Sequence, residues 1–238
     1  PQIVSSIMNF ENTEIAFRAK SNYEIKKAWF LFRLLGFPWF VGVSSKITLF
    51  LLRIHFPITW IIRHTLYQQF CGGENRTECQ KTIFNLARYG VGTILDYAIE
   101  GAVTEETFDA TLAELSETIS LAKDNPAVPF SVFKVTGIAN HSLIEKVQSK
   151  APLSSEEEKA FKRVHARVES LCQQAYKADV KIFVDGEETW IQDVIDAMAL
   201  EFMRRFNQKK AIVYNTLQMY RKDGLKNLKE LVEISKRE

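Results

Sequence analysis

The sequence predicts an α/β fold in which parallel strands alternate with helices. Four short apolar runs that fit strands lie in the second part of the chain, at residues 92–98, 129–133, 180–184 and 211–214. The segments between them carry charged residues, with apolar residues at the three- and four-residue spacing of a helix. A strand–helix–strand order makes the strands parallel, so the carboxyl ends of all four strands are expected at one rim of the sheet.

The first third of the chain is predicted to be helical. Ser21 followed by Glu24 has the spacing of a capping box, the pattern that opens a helix. The glycine-rich stretch at residues 71–75 is the clearest loop in the chain. We therefore predict two parts, a helical amino-terminal region at residues 1–78 and an α/β domain at residues 79–238.

The helices of the second part have recognisable limits. The predicted helices are residues 104–123, a helix opened by the Ser154/Glu157 capping box and running to Tyr176, a helix whose apolar face runs from Trp190 to Phe202, and a last helix at residues 225–234. A complete (β/α)8 barrel needs about 250 residues, which is more than these four units supply. The α/β part is therefore either a small open domain or the first half of a barrel.

Composition and charge exclude some classes of protein. The chain has 238 residues and a net charge of +2, which argues against a dedicated nucleic-acid binder. Residues 1–78 hold nine Lys/Arg and five Asp/Glu, a net charge of +4, whereas the remainder has a net charge of −2. The helical region is therefore mildly basic as well as strongly apolar.

The three cysteines and four histidines show no metal-site spacing. Reduced, cytosolic-type thiols are the preferred interpretation, with a Cys71–Cys79 pair as the alternative. The first residues lack the pattern of a secretory signal.

The apolar stretch at residues 34–62 has two interpretations. Lys46 and Arg53 interrupt it, and prolines break it into pieces shorter than the roughly 20 residues that span a bilayer. Packing of these helices against the main domain is the preferred interpretation. The alternative is a peripheral membrane contact through the basic, aromatic surface.

Polar residues follow the apolar runs and form a candidate site at the rim. Lys134 is either an anion clamp or a solvated lysine. Asp185 directly continues a buried run, whereas the acids that follow it also suit an ordinary helix start. Asn215 and Gln218 are amides that suit the polar edge of a ring or a loop backbone. The chain has no phosphate loop, no dinucleotide-binding glycine pattern and no convincing Ser/His/Asp order.

Taken together, these segments resemble the proline dehydrogenase family. The segments that carry the resemblance are, in order, Leu95–Tyr97, Glu100–Gly101, Phe133–Gly137, Val184–Gln192 and Tyr214–Tyr220. The resemblance runs from about residue 79 to the end of the chain. It implies a distorted (β/α)8 barrel that holds FAD without a Rossmann domain, of which this chain carries the first four βα units after an α-helical amino-terminal region.

The resemblance also implies a reaction and its partners. The family oxidises L-proline to 1-pyrroline-5-carboxylate, with hydride transfer to FAD and electrons passing to a membrane quinone. The implied location is cytoplasmic with a peripheral contact at the inner membrane, or mitochondrial in a eukaryote. A different substrate such as hydroxyproline is the weaker option.

The resemblance assigns roles to four residues. Lys134 matches the lysine that pairs with the substrate carboxylate, and Asp185 matches the aspartate treated as catalytic. Gly186 matches the small residue that touches the flavin. Asn215 matches the amide that hydrogen-bonds the isoalloxazine ring, where many family members have Gln. Orientation of the substrate supplies much of the rate in such reactions, which explains the need for a cation against the amino-acid carboxylate.

One part of the family pattern has no counterpart in this sequence. The strand-five arginine, the Gly-Ala-Tyr segment after it and the paired arginines near strand eight are missing, so we expect that these 238 residues alone do not oxidise proline. The competing hypothesis is a non-catalytic α/β binding module whose helical region docks a partner or a membrane. A coding sequence that continues past Glu238 into an Arg-Arg pair would favour the enzyme, and a stop codon would favour the module.

Overall fold

A computed structural model describes residues 11–97 and 103–237. The chain forms two compact units, Pro1–Val91 and Gly92–Glu238. The predicted boundary at residues 78 and 79 lies within a helix of the first unit, Arg76–Ala87. The start of the α/β domain at residue 79 therefore stays a prediction. Glu100 and Gly101, which contribute to the family resemblance, lie outside the described residues.

The described part of the first unit is helical, as the sequence predicts. Its helices are α1 (Thr13–Phe17), α2 (Asn22–Leu35), α3 (Pro38–Arg53), α4 (Thr59–Ile62), α5 (Gln68–Phe70) and α6 (Arg76–Ala87), with a π-helical turn at Arg63–Tyr67 between α4 and α5. The predicted capping box opens α2, because the Ser21 hydroxyl accepts from the Glu24 N–H and the Glu24 carboxylate accepts from the Ser21 N–H.

Helices α2 and α3 are strongly apolar yet expose many of their large side chains. Trp29 and Trp39 are 60% and 69% exposed, and Phe50 is 61% exposed. Within the described residues, no single helix meets the length and hydropathy requirements of a membrane span. Helices α2 and α3 meet them only as a pair, and they are bent by 96° at their junction.

The second unit is an α/β layer whose strands follow one another in chain order. Its elements are β1 (Ile94–Leu95), α7 (Glu105–Ala122), β2 (Phe130–Phe133), α8 (His141–Gln148), α9 (Ser155–Ala178), β3 (Lys181–Val184), α10 (Gln192–Phe206), β4 (Val213–Asn215) and α11 (Gly224–Arg237), with a 3₁₀ turn at Val135–Gly137. The sheet order is β1-β2-β3-β4 and every pairing is parallel. This consecutive order has no reversal point, so it is the order of a (β/α)8-type barrel rather than of a doubly wound sheet. The predicted α/β class is confirmed.

The core lies between the sheet and its helices. Phe133, Ile182 and Val184 point from the strands into this layer and are almost fully buried. Leu171 of α9 and Phe202 of α10 pack there with no exposed surface. This packing fixes the level at which each strand ends, and so it fixes the rim.

Three local predictions are wrong. A helix not predicted from the sequence, α8, follows β2; it is capped by Asn140, whose side chain accepts from the Leu143 N–H. The helix predicted to include Trp190 begins at Gln192, and Trp190 is 53% exposed with its indole N–H 3.3 Å from His141 Nε2. Strand β4 starts at Val213, two residues later than the apolar run at residues 211–214 predicts, and it ends at Asn215 as predicted.

Candidate functional site

An ion pair between Lys134 and Asp185 lies at the carboxyl ends of β2 and β3. Each residue comes directly after its strand, and Lys134 Nζ donates to Asp185 Oδ2 at 2.7 Å. Lys134 Nζ also donates to Asp96 Oδ2 at 3.0 Å, and Asp96 is the residue directly after β1. The three side chains are each between 32% and 44% exposed, so the cluster is open to solvent at the rim.

The charge state of Lys134 follows from these contacts. Burial acts to lower the pKa of Lys134, but the hydrogen bonds and charges of Asp185 and Asp96 outweigh it and raise the pKa above its usual value. The ammonium is therefore charged at neutral pH. One ammonium and two carboxylates have a net charge of −1, so they do not by themselves attract an anion.

The second oxygen of Asp185 is held from the other side. Its Oδ1 accepts from the Gly186 backbone N–H at 3.0 Å, and the Thr216 hydroxyl lies 3.4 Å away. The same hydroxyl is 3.1 Å from the Val184 carbonyl oxygen. Thr216, which follows β4, thereby joins the aspartate to the next strand.

Gly186 is closely packed, which explains why a small residue is needed there. A Cβ atom on Gly186 would lie 3.2 Å from Gln218 Cγ and 3.2 Å from Thr216 Oγ1. Both separations are shorter than an ordinary van der Waals contact of a Cβ atom. Gly186 therefore allows Gln218 to lie against the backbone after β3.

Glu187 is buried and fastens two rim loops together. It is only 9% exposed, and its Oε1 accepts from the Thr136 backbone N–H at 3.1 Å while its Oε2 accepts from the Thr136 hydroxyl. Its own backbone N–H donates to Gln192 Oε1 at 2.6 Å. Burial raises the pKa of Glu187 above its usual value despite the lowering effect of the Thr136 hydrogen bonds.

Asn215 does not join the Lys134–Asp185 pair. Its Nδ2 donates to Asp196 Oδ1 of α10 at 2.8 Å, and Gln192 Nε2 donates to the same oxygen at 2.8 Å. Because the carboxylate fixes which end of the amide is the donor, Asn215 Oδ1 points elsewhere. Asn215 Oδ1 and Gln218 Oε1 are both buried and have no hydrogen-bond partner among the described residues.

The structure therefore brings together two of the four predicted site residues, places Gly186 next to them and sets Asn215 apart on the helix-facing side. Sequence reasoning assigned no role to Asp96, Thr216 or the buried Glu187. Asp96 was missed because the predicted strand ran through it. Its position one residue past β1, equivalent to Lys134 and Asp185, is the signal that identifies it.

These features define a class: a parallel α/β protein whose strands follow barrel order and whose charged residues gather at the carboxyl-terminal rim. The family model described as "Proline dehydrogenase" matches residues 79–238. Because that match covers well over half of the sequence, the chain belongs to the proline dehydrogenase family.

Individual relatives agree with this assignment. The chain is 30% identical over 216 residues to proline dehydrogenase 1, mitochondrial, of Dictyostelium discoideum, covering 75% of this chain and 38% of the relative. It is 33% identical over 161 residues to the carbapenem antibiotics biosynthesis protein CarD of Pectobacterium carotovorum subsp. carotovorum, covering 68% of this chain and 43% of that protein. The chain thus spans less than half the length of these two relatives.

A solved structure shares the fold. The crystal structure of proline utilization A (PutA) from Bdellovibrio bacteriovorus, inactivated by N-propargylglycine, superimposes with a TM-score of 0.61 at 16% sequence identity. The match covers 76% of this chain and 20% of that chain.

Proposed function

We propose that the complete protein oxidises L-proline to 1-pyrroline-5-carboxylate, with FAD as hydride acceptor and a quinone as the final electron acceptor. The observation that supports the proposal most directly is the Lys134–Asp185 pair at the rim of the segment that matches the family. The chain spans less than half of its relatives, so the activity belongs to a protein that also carries the remaining site residues.

In this proposal Lys134 binds the substrate carboxylate. A lysine ammonium has three N–H donors, and Asp96 and Asp185 use two of them, which leaves one for the ligand. Asp185 is the residue that the resemblance treats as catalytic, and its carboxylate holds the Lys134 ammonium in place. The net charge of −1 on these three groups means that further cations must share the substrate carboxylate, which is the role that the resemblance gives to the family's arginines.

Residues at the carboxyl ends of β3 and β4 fit a flavin. A flavin ring presents both an N–H donor and carbonyl acceptors at its polar edge, and Asn215 Oδ1 and Gln218 Oε1 are buried acceptors without a partner among the described residues. Gly186, which the resemblance places against the flavin, lets Gln218 lie beside the backbone after β3. When bound, FAD supplies the two-electron acceptor that no amino-acid side chain provides. This protein's own residues then orient the substrate and hydrogen-bond the ring.

The test uses the protein extended to the length of its relatives, with proline and a dye acceptor. Lys134→Met removes a charged hydrogen bond of about 1.5–3 kcal/mol, so we expect kcat/KM to fall about tenfold to a hundredfold. Lys123→Met, an exposed lysine at the end of α7, is the matched control and should leave kinetics unchanged.

The outcomes separate the hypotheses. Loss of proline binding in Lys134→Met with retained FAD absorbance supports the proposal. Equal turnover by both variants contradicts it, and preferential oxidation of hydroxyproline would replace the substrate. If the extended protein binds no FAD and turns over neither amino acid, the binding-module hypothesis is favoured.

We also propose a peripheral membrane contact through residues 34–62, which would bring the protein to a quinone pool. Trp39, Val43 and Leu49 expose at least half of their surface, with Lys46 and Arg53 on the same helix. Exposed aromatics with nearby cations suit an interface with anionic lipid. The mitochondrial names of the eukaryotic relatives support a mitochondrial location if this chain is eukaryotic.

Co-sedimentation with vesicles measures this contact. We expect binding to vesicles that contain anionic lipid, and weaker binding for Trp39→Ser. Equal sedimentation with and without vesicles would rule out the membrane contact, leaving the proposed chemistry unaffected.

A further inference from the structure

Lys134 lies between two carboxylates that come from the strands on either side of its own. Strand β2 pairs with β1 on one edge and with β3 on the other. Asp96 and Asp185, each one residue past its strand, approach the same nitrogen from these two directions at 3.0 Å and 2.7 Å.

Two fixed hydrogen bonds restrict the orientation of an ammonium group more than a single hydrogen bond does. With a single carboxylate partner, the end of a lysine side chain can rotate about that partner and its remaining donors sweep through solvent. With two partners on opposite sides, the ammonium group cannot rotate, so its third N–H points in a single direction. This is a geometric property of the cluster, whatever ligand binds.

We propose that Asp96 is a positioning residue that, together with Asp185, fixes the Lys134 ammonium so that its remaining N–H points to a ligand carboxylate. The ligand assignment rests on the proposed function, whereas the arrangement of the three side chains does not. Asp96 acts through Lys134 and does not contact the reacting atoms.

The competing interpretation is an ordinary surface ion pair. Asp96 has a side chain that is 44% exposed, and exposed ion pairs commonly contribute little to stability. A stability measurement therefore cannot separate the two interpretations. The reactivity of the Lys134 amine can, because a carboxylate that is hydrogen-bonded to the ammonium stabilises its charged form, whereas a loosely associated surface aspartate does so only weakly.

Acetylation of the intact 238-residue chain reports that state without any substrate or cofactor. Sulfosuccinimidyl acetate reacts with neutral amines, so the rate at Lys134 follows its neutral fraction and increases about tenfold for each unit by which the pKa falls. The rate is measured from pH 8 to 11 by peptide mass spectrometry, with Lys123 in each sample as internal reference.

We expect Asp96→Asn to shift the pH profile of Lys134 acetylation to lower pH. Asp96→Glu, which keeps the carboxylate, should reverse most of that shift. Asp124→Asn, an exposed aspartate before β2, makes the same chemical change away from the rim and should leave the profile unchanged. Circular dichroism confirms folding, and Asp96→Ser replaces any variant that does not fold.

An Asp96→Asn profile identical to that of the unsubstituted chain would overturn the proposal, as would an Asp96→Glu profile identical to that of Asp96→Asn. Neither result depends on proline oxidation. A failed proline assay with an intact labelling result would therefore reject the proposed function and leave the role of Asp96 standing.

Discussion

Glu187 and Thr136 join the loop after β3 to the loop after β2. The Thr136 backbone N–H and hydroxyl donate to the two carboxylate oxygens, so one side chain holds two neighbouring loops at the rim. The carboxyl group is buried, and burial raises its folded-state pKa above the usual value of 4.5. The folded protein therefore binds this proton more tightly than the unfolded chain, and the stability that the group contributes below pH 4.5 is lost as the pH rises through the folded pKa.

The first prediction concerns Glu187→Gln. A glutamine can accept from the Thr136 N–H and donate to its hydroxyl, so the hydrogen bonds survive while the buried charge is removed. We expect the free energy of unfolding at pH 7 to be equal to or higher than that of the unsubstituted chain, with the difference disappearing by pH 4.

Urea unfolding between pH 4 and pH 8 measures this difference. Glu158→Gln, an exposed glutamate in the first turn of α9, is the control and should show no such trend. A loss of more than about 1 kcal/mol in Glu187→Gln at pH 7 would mean that the charge itself is needed, because a hydrogen bond to a charged group is worth about 1.5–3 kcal/mol.

The second prediction concerns Glu105 at the start of α7. Hydrogen bonds from Arg163 and then Arg167 lower the pKa of Glu105 to about 2 against the opposing effect of burial. Stability from this group is present above pH 4.5 and is lost as the pH falls towards 2. Glu105→Gln should therefore flatten the acid limb of the stability curve.

The measurement is the midpoint of acid unfolding followed by circular dichroism. Glu106→Gln, the exposed neighbour in the same turn, should retain the full acid limb. Identical acid limbs for the two variants would show that the Arg163 and Arg167 contacts do not stabilise the fold.

The third prediction separates the exposed thiol of Cys71 from the buried thiol of Cys172. Cys172 is fully buried, and burial raises its pKa to about 12, whereas Cys71 is exposed. Only a thiolate reacts quickly, so iodoacetamide at pH 8 should label Cys71 first and leave Cys172 unlabelled in the folded protein. Mass spectrometry gives the extent of labelling of each cysteine in the folded protein and in urea. Fast labelling of Cys172 in the folded protein would show that α9 opens.

The fourth prediction concerns Gly186→Ala. The added methyl would meet Gln218 at 3.2 Å, so Gln218 must shift. Crowding costs about 1–3 kcal/mol, partly offset by about 0.4–1 kcal/mol from a less flexible unfolded chain, and we expect a net loss of about 1 kcal/mol.

Urea unfolding again provides the measurement. Gly137→Ala is the control in the same unit, because its methyl would meet Thr111 at an ordinary 3.5 Å. Equal free energies of unfolding for the two variants would show that the rim accommodates a side chain at residue 186 without cost.

The sequence determines the order of strands and the ion pair more clearly than it determines the surroundings of the pair. Lys134 and Asp185 could be predicted because apolar runs end at them, and parallel strands end at the same rim. Asp96 could not be found in the same way, because Tyr97 and Ala98 after it extend the apolar run in the sequence beyond the two residues, Ile94 and Leu95, that pair as β1.

Asn215 shows a different limit. The strand–helix pattern placed it near the right strand end, but the direction of its side chain depends on whether it lies inside or after β4. Inside the strand it faces α10 and meets Asp196. A shift of one residue reverses the face on which a strand side chain lies, and periodicity alone does not set strand limits that closely. Helix α8 was missed because eight residues carry too little periodicity to be distinguished from a loop.

The consecutive order of the strands has a consequence for how the protein is made. Within the described sheet, each strand after β1 pairs with the strand synthesised just before it, so β2, β3 and β4 each have a partner as soon as they emerge. Domains of this kind can begin to fold on the ribosome, starting from the amino-terminal side. Asp96 and Lys134 would then meet first, and Asp185 would join them one unit later, so the rim is assembled in the order in which the chain leaves the ribosome.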